Sequence, residues 1–251
     1  MENQNSQHIT TVTTTPLPLI SLASQSNTTL ITNSERSTIQ TINCLRKPVI
    51  LFYNYQYNEE INTTIKLKQD IWRFSHVLPK PSNILTLDYE YSWKFIFKGE
   101  FNLYNETTTK TSPYIFWESS LNTDSTLFSD LLKENYFCFT KDESLDKIDT
   151  ILKLKGLNTT ERNDLITYWI QDITSKNFVI ISFLQENIYN ELADLEVAPK
   201  PDQLIRVIML IKPCDEFVEN GMKMEDVEPV LRCDERLVVE WGGSHGAACL
   251  D

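Results

Sequence analysis

The chain has 251 residues, of which 41% are hydrophobic and 11% aromatic, and its formal net charge is −12. Disordered and fibrous chains have few aromatic residues, so this composition predicts a folded protein with a sizeable core. The acidic balance repels phosphate backbones and anionic lipids, which argues against nucleic acid and membranes as partners. No hydrophobic run approaches the roughly 20 residues that cross a bilayer, and the first residues do not resemble a signal peptide, so the expected location is cytoplasmic.

Cysteine and glycine usage indicates neither a metal site nor a cofactor. The 5 cysteines are widely spaced without a CxxC pair, and only 3 histidines accompany them. Structural zinc sites bring their ligands in close-spaced pairs, so no metal is predicted. The 6 glycines form no GxGxxG motif or phosphate loop, and no cofactor is therefore predicted. Separated, odd-numbered cysteines are typical of a reducing compartment.

The chain divides into a tail and one predicted domain. Residues 1–43 are a run of Thr, Ser, Asn and Gln without a hydrophobic period, which predicts a disordered polar tail. Residues 44–243 are predicted to form a single α+β domain, and residues 244–251 a flexible C-terminus. Within the domain, residues 47–118 are predicted to be rich in β-strands, residues 124–174 helical and residues 178–243 mixed.

The first part of the domain shows alternation at period two. Between residues 93 and 98, Trp, Phe and Phe alternate with Lys, Ile and Lys, and similar short runs occur on either side. Such alternation is typical of antiparallel strands with one buried face. It predicts an antiparallel, β-sandwich-like layer, with a tight turn or bulge at Gly99.

After the β-rich part, the sequence contains several residues typical of helix starts. A first helix is predicted from Asp124 or Ser125, and a second is predicted to begin at Ser144 as its cap. Asn158 and Glu161 have the spacing of a capping box, which predicts a third helix. The remaining elements are a strand at 178–184, a short helix at 188–193, a strand at 204–211 buried on both faces, and a last strand at 237–241. The predicted fold is helices packed on the β-layer with C-terminal strands.

Several separated blocks resemble a widespread family of uncharacterised proteins from bacteria and simple eukaryotes. The blocks are Lys47–Ile50, Phe116–Glu118, Leu157–Trp169, Pro199–Asp202, Arg206–Val207 and Glu240–Gly243. They span about residues 47–243, which implies that the ordered part of the chain is one evolutionary unit. The family has no established activity, so the resemblance assigns no role to any residue.

Arg206 is the residue whose environment most needs an explanation. It lies inside an apolar strand, where an unpaired guanidinium would cost several kcal/mol. The candidate partners are Glu118, Glu161, Asp202 and Glu240. Arg206 is then either half of a structural ion pair, or exposed to solvent, or part of a polar pocket in which it holds an anion while Glu118 or Glu240 acts as acid or base.

Two tryptophans complete the candidate ligand-binding set, because each stands beside a glutamate in a predicted strand. The set is Trp117, Glu118, Arg206, Glu240 and Trp241. Two facing glutamates can serve a glycosidase, and Glu118, Glu161 and Asp202 offer oxygen ligands, but neither an EF-hand nor a DxD motif is present. The predicted function is a non-catalytic binding or interaction domain for a protein or small molecule. The alternative is a hydrolase-like enzyme with a carboxylate and arginine pocket.

Overall fold

The computed structural model describes residues 44–121 and 135–245. The predicted disordered tail and the helix predicted from residue 124 or 125 lie outside these ranges. No helix within the described residues is long and apolar enough to span a membrane.

The described residues form two β-sheets and three α-helices. The strands are β1 (Cys44–Tyr53), β2 (Glu60–Leu67), β3 (Trp72–Leu78), β4 (Asn83–Thr86), β5 (Glu90–Phe97), β6 (Leu103–Asn105), β7 (Lys110–Ser112), β8 (Ile115–Leu121), β9 (Tyr136–Thr140), β10 (Phe178–Phe183), β11 (Ala193–Ala198), β12 (Gln203–Cys214) and β13 (Leu237–His245). The helices are α1 (Lys141–Leu154), α2 (Thr159–Ile173) and α3 (Glu186–Leu192), and a single 3-10 turn covers Met224–Asp226.

The seven-stranded sheet, called the large sheet below, has the order β3-β8-β1-β13-β12-β10-β9. Its neighbouring strands are antiparallel except for β12 and β13, which run parallel from Gln203 beside Leu237 to Ile211 beside His245. The six-stranded small sheet has the order β11-β2-β5-β6-β7, with β4 also paired to β5. The predicted α+β fold with antiparallel β-layers and packed helices is confirmed.

The large sheet is the middle of three layers. One of its faces packs on the small sheet through residues such as Ile50, Trp117 and Val238. Its other face packs on α1 and α2 through residues such as Val49 and Val239. Because the sheet is covered on both sides, β13 is buried at every position except His245. Residues 204–211 of β12 are apolar apart from Arg206, as predicted for a strand buried on both faces.

The capping box of α2 is confirmed, whereas the start of α1 was predicted too late. The Glu161 amide donates to Asn158 Oδ1 at 2.9 Å, and the Asn158 amide donates to Glu161 Oε2 at 2.7 Å. Helix α1 begins at Lys141 rather than after Ser144, because Thr140 ends β9 and is the N-cap. The Thr140 amide donates to Glu143 Oε1 at 3.2 Å.

Two further boundaries differ from the sequence prediction. Strand β9 interrupts the segment 124–174 that was predicted as helical, because its apolar residues pair with β10 from Tyr136 to Thr140. The last strand continues four residues past Trp241 along β12. The flexible C-terminus predicted for residues 244–251 is therefore wrong for Ser244 and His245, and its remainder lies outside the described residues.

Candidate functional site

Arg206 and Glu240 stand directly opposite each other on β12 and β13. Parallel, in-register neighbours point to the same face, and here that face is the one packed on the small sheet. Arg206 Nε donates to Glu240 Oε2 at 2.7 Å, and Nη2 lies 2.6 Å from the same oxygen. The two side chains are 1% and 0% exposed, so the pair is sealed from solvent.

Three further side chains complete what we call the Arg206–Glu240 cluster, which comprises Trp117, Tyr189, Asn190, Arg206 and Glu240. Trp117 Nε1 donates to Glu240 Oε1 at 2.8 Å. Arg206 Nη1 donates to Asn190 Oδ1 and to the Ala193 carbonyl, each at 2.7 Å. The guanidinium carbon lies 4.0 Å from the centre of the Tyr189 ring. Both oxygens of Glu240 are therefore engaged, and α3 covers the outer end of Arg206.

The charge state of the cluster follows from its burial. Burial lowers the pKa of Arg206, but its interactions with Glu240 and Tyr189 together outweigh this effect and raise the pKa overall. Burial and the same carboxylate hold the pKa of Tyr189 well above its ordinary value. The cluster thus contains a charged guanidinium and a phenol that keeps its proton.

The structure brings together three of the five predicted site residues and separates the other two. Trp117, Arg206 and Glu240 meet in the cluster between the sheets. Glu118 and Trp241 each follow a cluster residue in the same strand, and successive side chains of a strand point to opposite faces. Trp241 accordingly packs in the core beneath the helices, where it is buried.

Glu118 lies near the surface, away from the cluster. Its Oε2 is 3.3 Å from His76 Nδ1, and its Oε1 accepts a hydrogen bond from the Lys47 amide at 3.3 Å. His76 is largely exposed, so solvent reaches this pair. Glu118 is therefore the partner of a surface histidine and the Lys47 amide rather than of Arg206.

Glu161 and Asp202, the remaining predicted partners of Arg206, bind other groups. Glu161 is buried and accepts from Tyr53 Oη and from Arg232 Nη1, each at 2.7 Å. Asp202 accepts from the Arg236 amide at 3.2 Å. The three carboxylates considered as ligands for a hard cation are thus apart, and the described residues contain no group of three or more His, Cys, Asp or Glu able to hold a metal ion.

A cavity of about 420 Å³, the Trp241 cavity, lies on the helix side of the large sheet. Its charged lining groups are Lys47, Glu161 and Asp164. Lys47 Nζ lies 4.8 Å from the ring centre of Tyr168 and 5.4 Å from that of Trp241. Glu161 is ion-paired to Arg232, and Asp164 is exposed. Two carboxylates and one lysine line this cavity, so it disfavours an anion.

A second cavity, the Lys155 cavity, encloses about 330 Å³ at the edge of β12. Strand β10 ends at Phe183, opposite Met209, whereas β12 begins at Gln203. The first residues of β12 therefore have no partner strand on that side among the described strands. The C-terminal end of α1, the end of β10 and residues 222–230 enclose the space that is left.

The walls of the Lys155 cavity combine apolar and polar residues. The apolar ones include Phe137, Phe183, Ile205, Val207, Val227 and Val230, and the polar ones are Asn135, Lys155, Gln185, Glu186 and Arg206. Lys155 forms no ion pair with any described residue, and its ammonium lies 4.6 Å from the ring centre of Phe183. Burial lowers the pKa of Lys155. An ammonium on an apolar wall without a counter-ion is poised to bind an anion.

The sequence prediction missed this cavity. Lys155 stands four residues after Ile151 and seven after Ile148, both fully buried, so the apolar stripe of α1 continues into a lysine. That spacing was the sequence feature that could have indicated a lysine on the buried face of α1. The gap beside β12 left no signal, because it depends on where β10 ends relative to its neighbour.

These features define a three-layer α+β protein with a sealed polar cluster between its sheets and a cavity in which Lys155 has no ion-pair partner among the described residues. Comparison of the chain with protein families, curated proteins and solved structures finds no match among any of them.

Proposed function

We propose that this protein is a cytoplasmic, non-catalytic binding domain and that the Lys155 cavity is its small-molecule site. The single observation that carries the proposal is a cavity of about 330 Å³ in which the ammonium of Lys155 has no counter-ion among the described residues. Ligand sites are concave, mostly apolar and carry a few polar groups that orient the ligand, and this cavity meets each criterion.

The hydrolase-like alternative needs an arginine and a carboxylate that a substrate can reach. Arg206 and Glu240 are buried, and both carboxylate oxygens of Glu240 already accept hydrogen bonds. Glu118, the other proposed acid or base, lies apart from them beside His76. This arrangement favours binding over catalysis, because a general base needs access to the proton that it removes.

The remaining parts of the proposal rest on charge and cysteine chemistry. The net charge of −12 disfavours nucleic acid and anionic membranes as partners. Cys138, Cys214 and Cys233 are free thiols, as expected in a reducing cytoplasm.

We also propose membership of the resembled family. Four of the resembling blocks lie in the adjacent strands β8, β1, β13 and β12, and Glu240 in one block accepts hydrogen bonds from Trp117 and Arg206 in two others.

The test uses a small neutral probe, trifluoromethylbenzyl alcohol, titrated into the full chain and followed by fluorine NMR. Val230 lines the cavity, and Val230→Trp is expected to fill it and abolish saturable binding. Leu231, the next residue, is 84% exposed and does not line the cavity, so Leu231→Trp is the matched control. Equal binding of the probe to both variants would overturn the proposal.

A further inference from the structure

We infer that the ligand of the Lys155 cavity is a small apolar monocarboxylate, held by an ion pair between its carboxylate and the Lys155 ammonium. This inference rests on the proposed function, since it specifies the chemistry of the same site. It depends on the charges in the cavity, on the neutral donors in its wall and on its size.

The first step concerns the ammonium. Its described neighbour is the ring of Phe183, and a cation above an aromatic ring is held more weakly than one paired with a carboxylate. Glu186 also lines the cavity but forms no ion pair with Lys155. Burial lowers the pKa of Lys155, and a carboxylate beside the ammonium would raise it again. An anionic ligand therefore satisfies a charge that has no ion-pair partner in the part of the chain that the structure describes.

The second step limits the ligand to one negative charge. Among the described lining residues, Lys155 supplies the one ammonium, and Glu186 is an exposed residue at the rim. A ligand with two negative charges would therefore leave one of them unpaired and near Glu186. Phosphate groups are usually bound by several donors, such as a helix N-terminus or a bidentate arginine. Arg206 cannot supply that fork, because Glu240 and Asn190 already engage its guanidinium. A monoanion thus fits the charges better than a phosphate.

The third step concerns the rest of the ligand. Asn135 and Gln185 line the cavity, and each carries a side-chain amide that can donate to the second carboxylate oxygen. Phe137, Val207 and Val227 offer apolar surface to the body of the ligand. A volume of about 330 Å³ lies at the lower end of the roughly 300–1,000 Å³ of ligand pockets, so the body is a short alkyl chain or a single ring.

The experiment compares two probes with the same ring and different charge, trifluoromethylbenzoate and trifluoromethylbenzyl alcohol, by fluorine NMR on the full chain at neutral pH. Lys155→Met should weaken benzoate binding by roughly tenfold to a hundredfold and change alcohol binding by less than about twofold. Lys153→Met is the matched control, because Lys153 lies in the same helical turn, is exposed and does not line the cavity. It should change neither affinity.

The outcomes separate this inference from the proposed function. Alcohol binding that Val230→Trp abolishes, combined with benzoate binding that is no tighter than alcohol binding, overturns the inference and leaves the proposed function standing. An equal loss of benzoate affinity in Lys155→Met and Lys153→Met also overturns the inference, because it reports only the general charge of the surface. Failure of both probes to bind overturns the proposed function and the inference with it.

Discussion

The buried ion pair of Arg206 and Glu240 adds little net stability, yet the fold cannot lose one partner without a large cost. Removing both charges from water costs several kcal/mol per ion, and the attraction between them offsets that cost only when the remaining polar atoms are also bonded. Here Trp117, Asn190 and the Ala193 carbonyl supply those bonds. The arrangement holds β12 and β13 in one register, because any slip would leave both charges buried and unpaired.

Arg206→Met is therefore expected to destabilise the protein by about 3–5 kcal/mol, since Glu240 would remain charged and unpaired in the core. The double substitution Arg206→Met with Glu240→Leu should recover most of that loss. Urea denaturation of the single and double variants measures both effects. A stability near that of the unmodified protein in Arg206→Met alone would show that Arg206 serves ligand binding instead.

Tyr53 is expected to lower the free energy of unfolding at alkaline pH. Burial and the neighbouring Glu161 carboxylate raise its pKa well above its ordinary value. In the unfolded chain a tyrosine releases its proton near pH 10, whereas folded Tyr53 retains it. The unfolded state therefore gains stability as the pH rises above about 10, and the free energy of unfolding falls.

Tyr53→Phe should reduce this alkaline loss and should cost about 1 kcal/mol at neutral pH, because the hydrogen bond to Glu161 disappears. Tyr57→Phe is the control, since Tyr57 is 71% exposed. Denaturant midpoints at neutral pH and above pH 10 measure the difference. The same alkaline slope in both variants would contradict the assignment.

Among the elements, α2 depends on its N-terminal capping box. Asn158→Ala removes the acceptor of the Glu161 amide and is expected to cost about 0.5–2 kcal/mol. Thr159→Ala changes the adjacent exposed residue without removing a capping bond, so its denaturant midpoint should stay near that of the unmodified protein. Equal midpoints for the two variants would show that the cap contributes nothing.

Strand β13 depends on glycine where other parts of the chain approach its backbone. A Cβ atom at Gly243 would lie 2.7 Å from Trp169 Nε1 and 2.9 Å from the Met209 carbonyl oxygen. Gly243→Ala should therefore cost about 1–3 kcal/mol, because neither α2 nor β12 can move without disturbing the core. Thermal unfolding measures the loss, and an unchanged melting temperature would place the helix farther from the strand than described.

At the scale of the whole molecule, the large sheet belongs to both hydrophobic cores. Adjacent residues of its strands alternate between them, as Val49 and Ile50 do on β1. Neither the small sheet nor the helix layer can lose its packing without exposing one face of the shared sheet. The described fold should therefore unfold as one cooperative unit.

Ile50→Ala, in the core between the sheets, and Ile151→Ala, in the core beneath the helices, should each cost about 2–5 kcal/mol. For each variant, the unfolding midpoint measured by far-UV circular dichroism should shift by the same amount as the midpoint measured by tryptophan fluorescence. The described tryptophans are distributed over the two cores, so their fluorescence reports on both. Separate midpoints for the two signals would show that the layers unfold independently.

Local patterns determined much of this protein. The alternation at residues 93–98, the apolar run at 204–211 and the capping box at Asn158 are each properties of neighbouring residues, and each predicted its element correctly. The sequence also showed that Arg206 needs a partner, because burying a guanidinium alone is too costly whatever the fold.

Only the tertiary structure selected Glu240 from four candidate carboxylates, because the choice depends on the parallel register of β12 with β13. The same register extends β13 to His245 and places Glu240, rather than Trp241, beside Arg206. The Lys155 cavity likewise arises because β10 stops at Phe183, opposite Met209, and leaves the first residues of β12 uncovered on that side by any described strand. Strand register and relative strand length are contacts between distant parts of the chain, and no local pattern encodes them.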